Sequence, residues 1–219
     1  MAALRAQCVL LTGSNRGIGL ELVRQLLGGP HPPTHIFATC RDPEGPRGKD
    51  LRDLASKHPN LMLVKLDVAD PSAIVNAAKI VEGKLNGAGL NLLINNAGIF
   101  TPVSLETVDS EDMIRAYKTN AVGPLLMAQA FLPLLKKAAQ DGKEKRLSCN
   151  KAAIINISSF LGSIKGTPES YFKPVISYRC SKADLTVDTS VRGLLSVLPI
   201  LSEKHSGMLL NWEGKAIPW

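Results

Sequence analysis

Cys8-Val9-Leu10-Leu11-Thr12-Gly13-Ser14-Asn15-Arg16-Gly17-Ile18-Gly19 is a short apolar run that passes straight into three glycines. Cys8–Thr12 reads as a buried strand, and the residues after the glycines read as a helix to about Leu27, stopped by Gly28-Gly29-Pro30. A strand, a glycine turn and a helix in that order leave backbone N–H groups and the positive end of the helix facing outward with no Cβ in the way, which suits a pyrophosphate. The spacing is Gly-x-x-x-Gly-x-Gly, not Gly-x-Gly-x-x-Gly, and the bare loop is also what a tight strand-to-helix turn without a ligand looks like.

The same alternation continues along the chain. Strands are expected at His35–Cys40, 61–66, 90–94 and 153–157, and helices near 49–57, at Pro71–Leu85, and from Ser110 on through 121–137 with Pro124 in a first turn. Successive βα units of this kind predict an α/β fold, a Rossmann-like doubly wound parallel sheet flanked by helices. Residues 140–151 read as a charged surface loop, and 162–174 as a loop long enough to border a pocket. Pro174 sits where a further helix would start.

With 219 residues and 45% hydrophobic content, the chain has enough apolar surface for one domain over residues 1–219. Its net charge of +7 comes from scattered basic residues with no aromatics interleaved, so no nucleic-acid partner is expected. The four cysteines, Cys8, Cys40, Cys149 and Cys180, have no metal-binding spacing and read as reduced thiols. No stretch is apolar enough to span a membrane, and the apolar run near the start is too short for a signal sequence, so a cytoplasmic protein is expected.

In an open parallel sheet, ligands bind beyond the carboxyl ends of the strands. At the end of the second strand, an acidic residue would favour a free ribose 2′-hydroxyl, but Cys40 stands there, followed by Arg41, with Arg16 in the glycine loop. Two guanidiniums suit a 2′-phosphate and favour NADP over NAD, although Asp42 next door could neutralise Arg41. Asp67, followed by Val68, could accept from an adenine amino group or simply make a turn. Asn95-Asn96-Ala97-Gly98 ends the fourth strand with small residues against which a ribose could lie.

Tyr178 and Lys182, four residues apart, share one face of a helix. A free phenol has a pKa near ~10, and an ammonium about 4 Å away can supply much of the energy needed to make it a useful acid near neutrality. Alone, such a pair is more often a half-buried aromatic beside a solvated charge.

Taken together, 12–19, Asn95-Asn96-Ala97-Gly98, Asn120, Ser158-Ser159 and Tyr178-x-x-x-Lys182 resemble the short-chain dehydrogenase/reductase family over residues 1–182. The Arg16 and Arg41 pair, the long gap from Ser159 to Tyr178 and the C-terminal residues are most similar to its C-factor and sniffer-type carbonyl reductases. The resemblance implies hydride transfer from NADPH to a small carbonyl substrate, by a monomer or homodimer. It implies that Tyr178 gives a proton, Lys182 lowers the tyrosine pKa and holds the nicotinamide ribose, Ser159 binds the carbonyl oxygen with Ser158 as the second choice, and Asn120 places a water. Cofactor contacts are expected from Gly13, Ser14, Asn15, Arg16, Gly17, Ile18, Gly19, Arg41, Asp67, Val68, Asn95, Ala97, Gly98, Tyr178 and Lys182, and no metal is expected.

The family's sixth strand and the Pro-Gly loop after it have no counterpart here. Lys182 is followed by Ala183-Asp184-Leu185, an amphipathic stretch at 190–201 and one strand candidate at 208–212. About one βα unit, roughly 30 residues, is expected to be absent after Lys182, as in an alternative isoform. The apolar edge this would leave needs a new partner.

Overall fold

A computed structural model describes residues 4–141, 148–163, 165, 175–183, 198, 201–208, 210–211 and 213–217. Its elements in chain order are β1 (Cys8–Thr12), α1 (Gly17–Gly28), β2 (His35–Cys40), α2 (Lys49–Ala55), β3 (Leu61–Lys65), α3 (Pro71–Leu85), β4 (Leu92–Asn95), α4 (Ser110–Tyr117), α5 (Gly123–Asp141), β5 (Ala153–Asn156) and α6 (Ile176–Ala183). The five strands form one sheet in the order β3-β2-β1-β4-β5, and every pairing is parallel.

β1 and β4 are buried along their whole length, as strands must be when helices cover both faces of the sheet. Alternate residues feed two cores. Val9, Leu11, Ile36, Ala38, Leu92 and Ile94 pack with Leu22, Val23 and Leu26 of α1. Cys8, Leu10, Phe37 and Leu93 face the other way, onto Ile74 and Val81 of α3 and Met127 and Phe131 of α5. The chain runs outward from β1 through β2 to β3 and then returns to place β4 on the other side of β1. A crevice therefore opens above the ends of β1 and β4, where sheets of this kind bind ligands.

Several boundaries differ from the sequence reading. Asn95 is the last residue of β4 instead of the first residue past it. Asn120, which by itself reads as a helix cap, lies in one turn of π-helix, Lys118–Val122, that joins α4 to α5 without a break. In the stretch expected to be a charged loop, Asp141 ends α5, Cys149 is buried, and Ser148 makes an antiparallel bridge with Ser202.

β5 is hydrogen-bonded only to β4 among the described residues, and none of its four side chains is fully buried. Among the described residues of the strand candidate at 208–212 none joins the sheet: Leu210 bridges Ala216 in a local turn where Asn211 N–H donates to Lys215 O at 2.8 Å. Cover near β5 comes from Leu198 and Leu201, which belong to the same core as Cys149 and Ile157. The expected loop at 162–174, the helix start at Pro174 and most of the stretch at 190–201 lie outside the described residues.

Candidate active site

The first wall of the site is made by glycines. Gly13 has φ +67°, and a Cβ there would stand 2.8 Å from Ala97 Cα; a Cβ on Gly19 would stand 2.1 Å from Gly13 O. Side chains are excluded because two chain segments touch. Asn96 Nδ2 donates to Thr12 O (3.0 Å) and Gly13 O (3.1 Å), while Thr12 Oγ1 accepts from the backbone N–H groups of Asn96 (3.0 Å) and Ala97 (2.9 Å). These bonds join the glycine loop to the Asn95–Gly98 turn, two motifs more than 80 residues apart in sequence.

Above them lies a cavity of about 1000 Å³ that crosses the carboxyl ends of β1 to β4. Of the predicted cofactor residues, Gly13, Asn15, Arg16, Gly17, Ile18, Gly19, Arg41, Asp67, Val68, Ala97 and Gly98 line it. Ser14 and Asn95 stand behind the wall. The Ser14 hydroxyl is fully buried, donates to Leu11 O (2.8 Å) and accepts from Thr39 N–H (3.2 Å), while Asn95 Nδ2 donates to Asn156 Oδ1 (2.9 Å). Both side chains brace the strand ends instead of facing the cavity.

In the lining, Arg16 and Arg41 are joined by Arg47, an exposed residue in the short Pro46–Gly48 turn of 3₁₀-helix. Sequence reading passed over Arg47, whose only signal was a basic residue inside a Pro/Gly-rich turn. Asp42 lines the cavity beside Arg41 but makes no ion pair with it, and its Oδ1 accepts from Gly45 N–H at 3.0 Å. The ion pairs found among the described residues involve Arg24, Arg115 and Lys215 but none of these three arginines. Asp67 does two things at once, accepting from Ala69 N–H (2.9 Å) as a turn residue while lining the cavity. Cys40 also lines it, and burial pushes its thiol pKa up, which favours the neutral thiol.

The second half of the site begins behind Gly98. A Cβ on Gly98 would stand 3.1 Å from Asn120 Oδ1 and 3.6 Å from Lys182 Nζ. Asn120 is buried with its amide engaged: Nδ2 donates to Ile99 O (3.0 Å) and Ser181 Oγ (2.9 Å), and Oδ1 accepts from Ile99 N–H (2.9 Å). Lys182 is 5% exposed, and Nζ donates to Ile157 O at 2.9 Å. Burial lowers its pKa to about 8. The ammonium lies 5.8 Å from the centroid of the Tyr178 ring, which Phe100 meets edge-on at 4.9 Å.

The two serines are used differently. Ser158 is buried and donates to Lys182 O (3.2 Å), fastening the end of β5 to α6. Ser159 is half-buried and caps the Phe160–Gly162 turn, its Oγ accepting from Leu161 N–H at 3.2 Å. Asn120, Ser159, Tyr178 and Lys182 thus come from three places in the chain, and none of them is on the lining of the large cavity. Sequence reading also missed Asp112, a buried carboxylate on α4 bonded to the residue before Tyr178.

A parallel α/β sheet with a glycine-lined cavity and a Tyr–Lys pair behind it defines a dinucleotide-type oxidoreductase fold. The chain belongs to the short-chain dehydrogenase/reductase family, whose model, described as short chain dehydrogenase, matches residues 7–187. The NADPH-bound carbonyl reductase from chicken fatty liver is 46% identical, with TM-score 0.92 over 99% of this chain and 100% of that one. The carbonyl reductase Sniffer of D. melanogaster is 32% identical, with TM-score 0.90 over 98% and 100%. Short-chain dehydrogenase srdF of Neurospora crassa is 33% identical over 258 aligned positions that take in all of both chains. Since this chain has 219 residues, about 39 of those positions face no residue of it. Three other curated relatives are longer, and the chain spans 51% to 64% of them.

Proposed function

We propose that this chain is an NADPH-dependent reductase of a small carbonyl compound, a single-domain cytoplasmic oxidoreductase acting as a monomer or homodimer. The observation that carries the reading is the thinness of the partition at Gly98: the cavity lies on one side, and the Lys182 ammonium stands 3.6 Å from where its Cβ would be. The residues fit the cofactor. Gly13, Gly17 and Gly19 leave the start of α1 open to a pyrophosphate. Arg16, Arg41 and Arg47 make no ion pair among the described residues, although Asp42 also lines the cavity, and such unpaired guanidiniums suit a 2′-phosphate.

NADPH, when bound, supplies the hydride. Tyr178 gives its proton to the oxygen of the carbonyl as that oxygen gains charge, and Lys182, still protonated below its pKa of about 8, stabilises the phenolate left behind. Ser159 donates a hydrogen bond to the same oxygen. Ser158 takes no part, because its hydroxyl already holds α6. Asn120 works by clamping Ile99, which keeps the Gly98 wall in place. Tyr178→Phe is expected to abolish NADPH oxidation across a panel of ketones and aldehydes while changing NADPH affinity less than about twofold; loss of binding as well would make Tyr178 a structural residue.

A second reading is a dinucleotide-binding protein whose catalysis is impaired because a segment after Lys182 is absent; the missing Pro-Gly dipeptide after Lys182 favours it, and the 39 unmatched positions are in keeping with a shortened chain without locating the loss. A shift of about 1 Å in the Tyr178–Lys182 pair could alone cost ~100-fold in rate. Fluorescence titration with NADPH beside the carbonyl panel separates the two, since binding without oxidation supports the second.

A further inference from the structure

Asp112 lies on α4 with 8% of its surface exposed, and its carboxylate gathers groups from three segments. Oδ2 accepts from Ser177 Oγ at 2.6 Å and from Thr101 Oγ1 at 3.1 Å, and Oδ1 pairs with Arg115. Each hydroxyl is next to something that locates Tyr178. Ser177 precedes it in the first turn of α6. Thr101 follows Phe100, whose ring meets the Tyr178 ring edge-on. A backbone bond from Ile176 N–H to Val103 O (3.3 Å) ties the same two segments again.

We propose that Asp112 is a positioning residue that aims the Tyr178 phenol at Lys182 through Ser177 and Thr101. The inference rests on the reading of Tyr178 as the proton donor. An aspartate suits the task because an ionised carboxylate can accept several hydrogen bonds at once, and bonds to it are shorter and stronger than neutral ones. The Ser177 hydroxyl and then Arg115 hold its pKa below the usual carboxylate range, so it stays charged near neutrality. A carboxylate that merely glued α4 to α6 would contribute to stability but leave the acid strength of Tyr178 alone.

Ser177→Ala separates these cases because it keeps the Asp112 charge and removes one contact. The ionisation of Tyr178, read as ultraviolet difference absorbance against Tyr178→Phe in the same background, is expected to move upward as the phenol loses its alignment with Lys182. With a carbonyl substrate, kcat should fall about tenfold or more while KM stays within about twofold, and Ser177→Thr should restore both. A Ser177→Ala protein that melts earlier but keeps the parent ionisation and kcat makes Asp112 a structural tie and overturns the inference. If the parent oxidises NADPH with no carbonyl, the reductase reading falls, yet the Tyr178 ionisation still decides this one. Should Ser177→Ala not fold, Thr101→Val takes its place, with an upward shift again expected and an unchanged ionisation overturning the inference.

Discussion

Lys182 holds an ammonium where water barely reaches, and burial alone brings its pKa from 10.5 to about 8. Between those values the unfolded chain binds more protons than the folded one, so stability rises with pH across that window, by roughly 3 kcal/mol in full. Lys182→Met is therefore expected to stabilise the cofactor-free protein near neutrality by roughly 2 kcal/mol, with the advantage shrinking from pH 8 to 10.5. Urea denaturation of both proteins at pH 7 and pH 10 measures this. If Lys182 assists Tyr178 as proposed, turnover should run the opposite way, failing above about pH 8 as that charge is lost. In the cavity lining, Arg41→Asp should weaken NADPH binding at least about tenfold and leave NADH nearly unchanged. Equal affinity of the parent for the two cofactors would sink the role given to Arg41.

At the scale of elements, β1 and its glycine turn form the rigid part of the site, and the two left-handed glycines in it are not equivalent. Gly13 has φ +67° and no room, its Cβ position lying 2.8 Å from Ala97 Cα, whereas Gly17 has φ +52° and nothing within 4 Å. Gly17→Ala should cost about 1 kcal/mol, the strain of the backbone alone, and Gly13→Ala about 3 kcal/mol because the Asn96–Ala97 segment must also retreat. Thermal melts compare the two directly. This element was legible in the sequence because an apolar run followed by glycines is a local pattern. The directions of side chains were not: Ser14 sits among the glycines yet turns back to Leu11 and Thr39, and Asn95 still belongs to the strand and bonds to Asn156. Arg47 and Asp112 escaped for a related reason, since their importance comes from neighbours brought close only by the fold.

For the whole molecule, the five-stranded parallel sheet followed from the alternation of strands and helices; strand limits moved by a residue or two, and the end of α5 by four. The C-terminal part was less readable, because a strand candidate is identified by its partner, and Leu210 found Ala216 in place of the sheet edge. Whether the parts act as one cooperative unit is open to measurement. A ligand held by the folded chain alone at 100 times its Kd adds about 2.7 kcal/mol, so NADPH should raise the melting temperature by roughly 5–10 °C with a sharp transition. A broad melt that NADPH leaves in place would mean that the chain does not assemble a working cofactor site.

The three arginines that line the cavity, free of ion pairs among the described residues, have a consequence for handling the protein. Like charges held near one another attract counter-ions, so between catalytic cycles this corner should act as a small anion exchanger. Phosphate and sulfate should therefore compete with the dinucleotide more strongly than chloride at equal ionic strength. The identity of the buffer anion, and not only the amount of salt, will then set the apparent affinity.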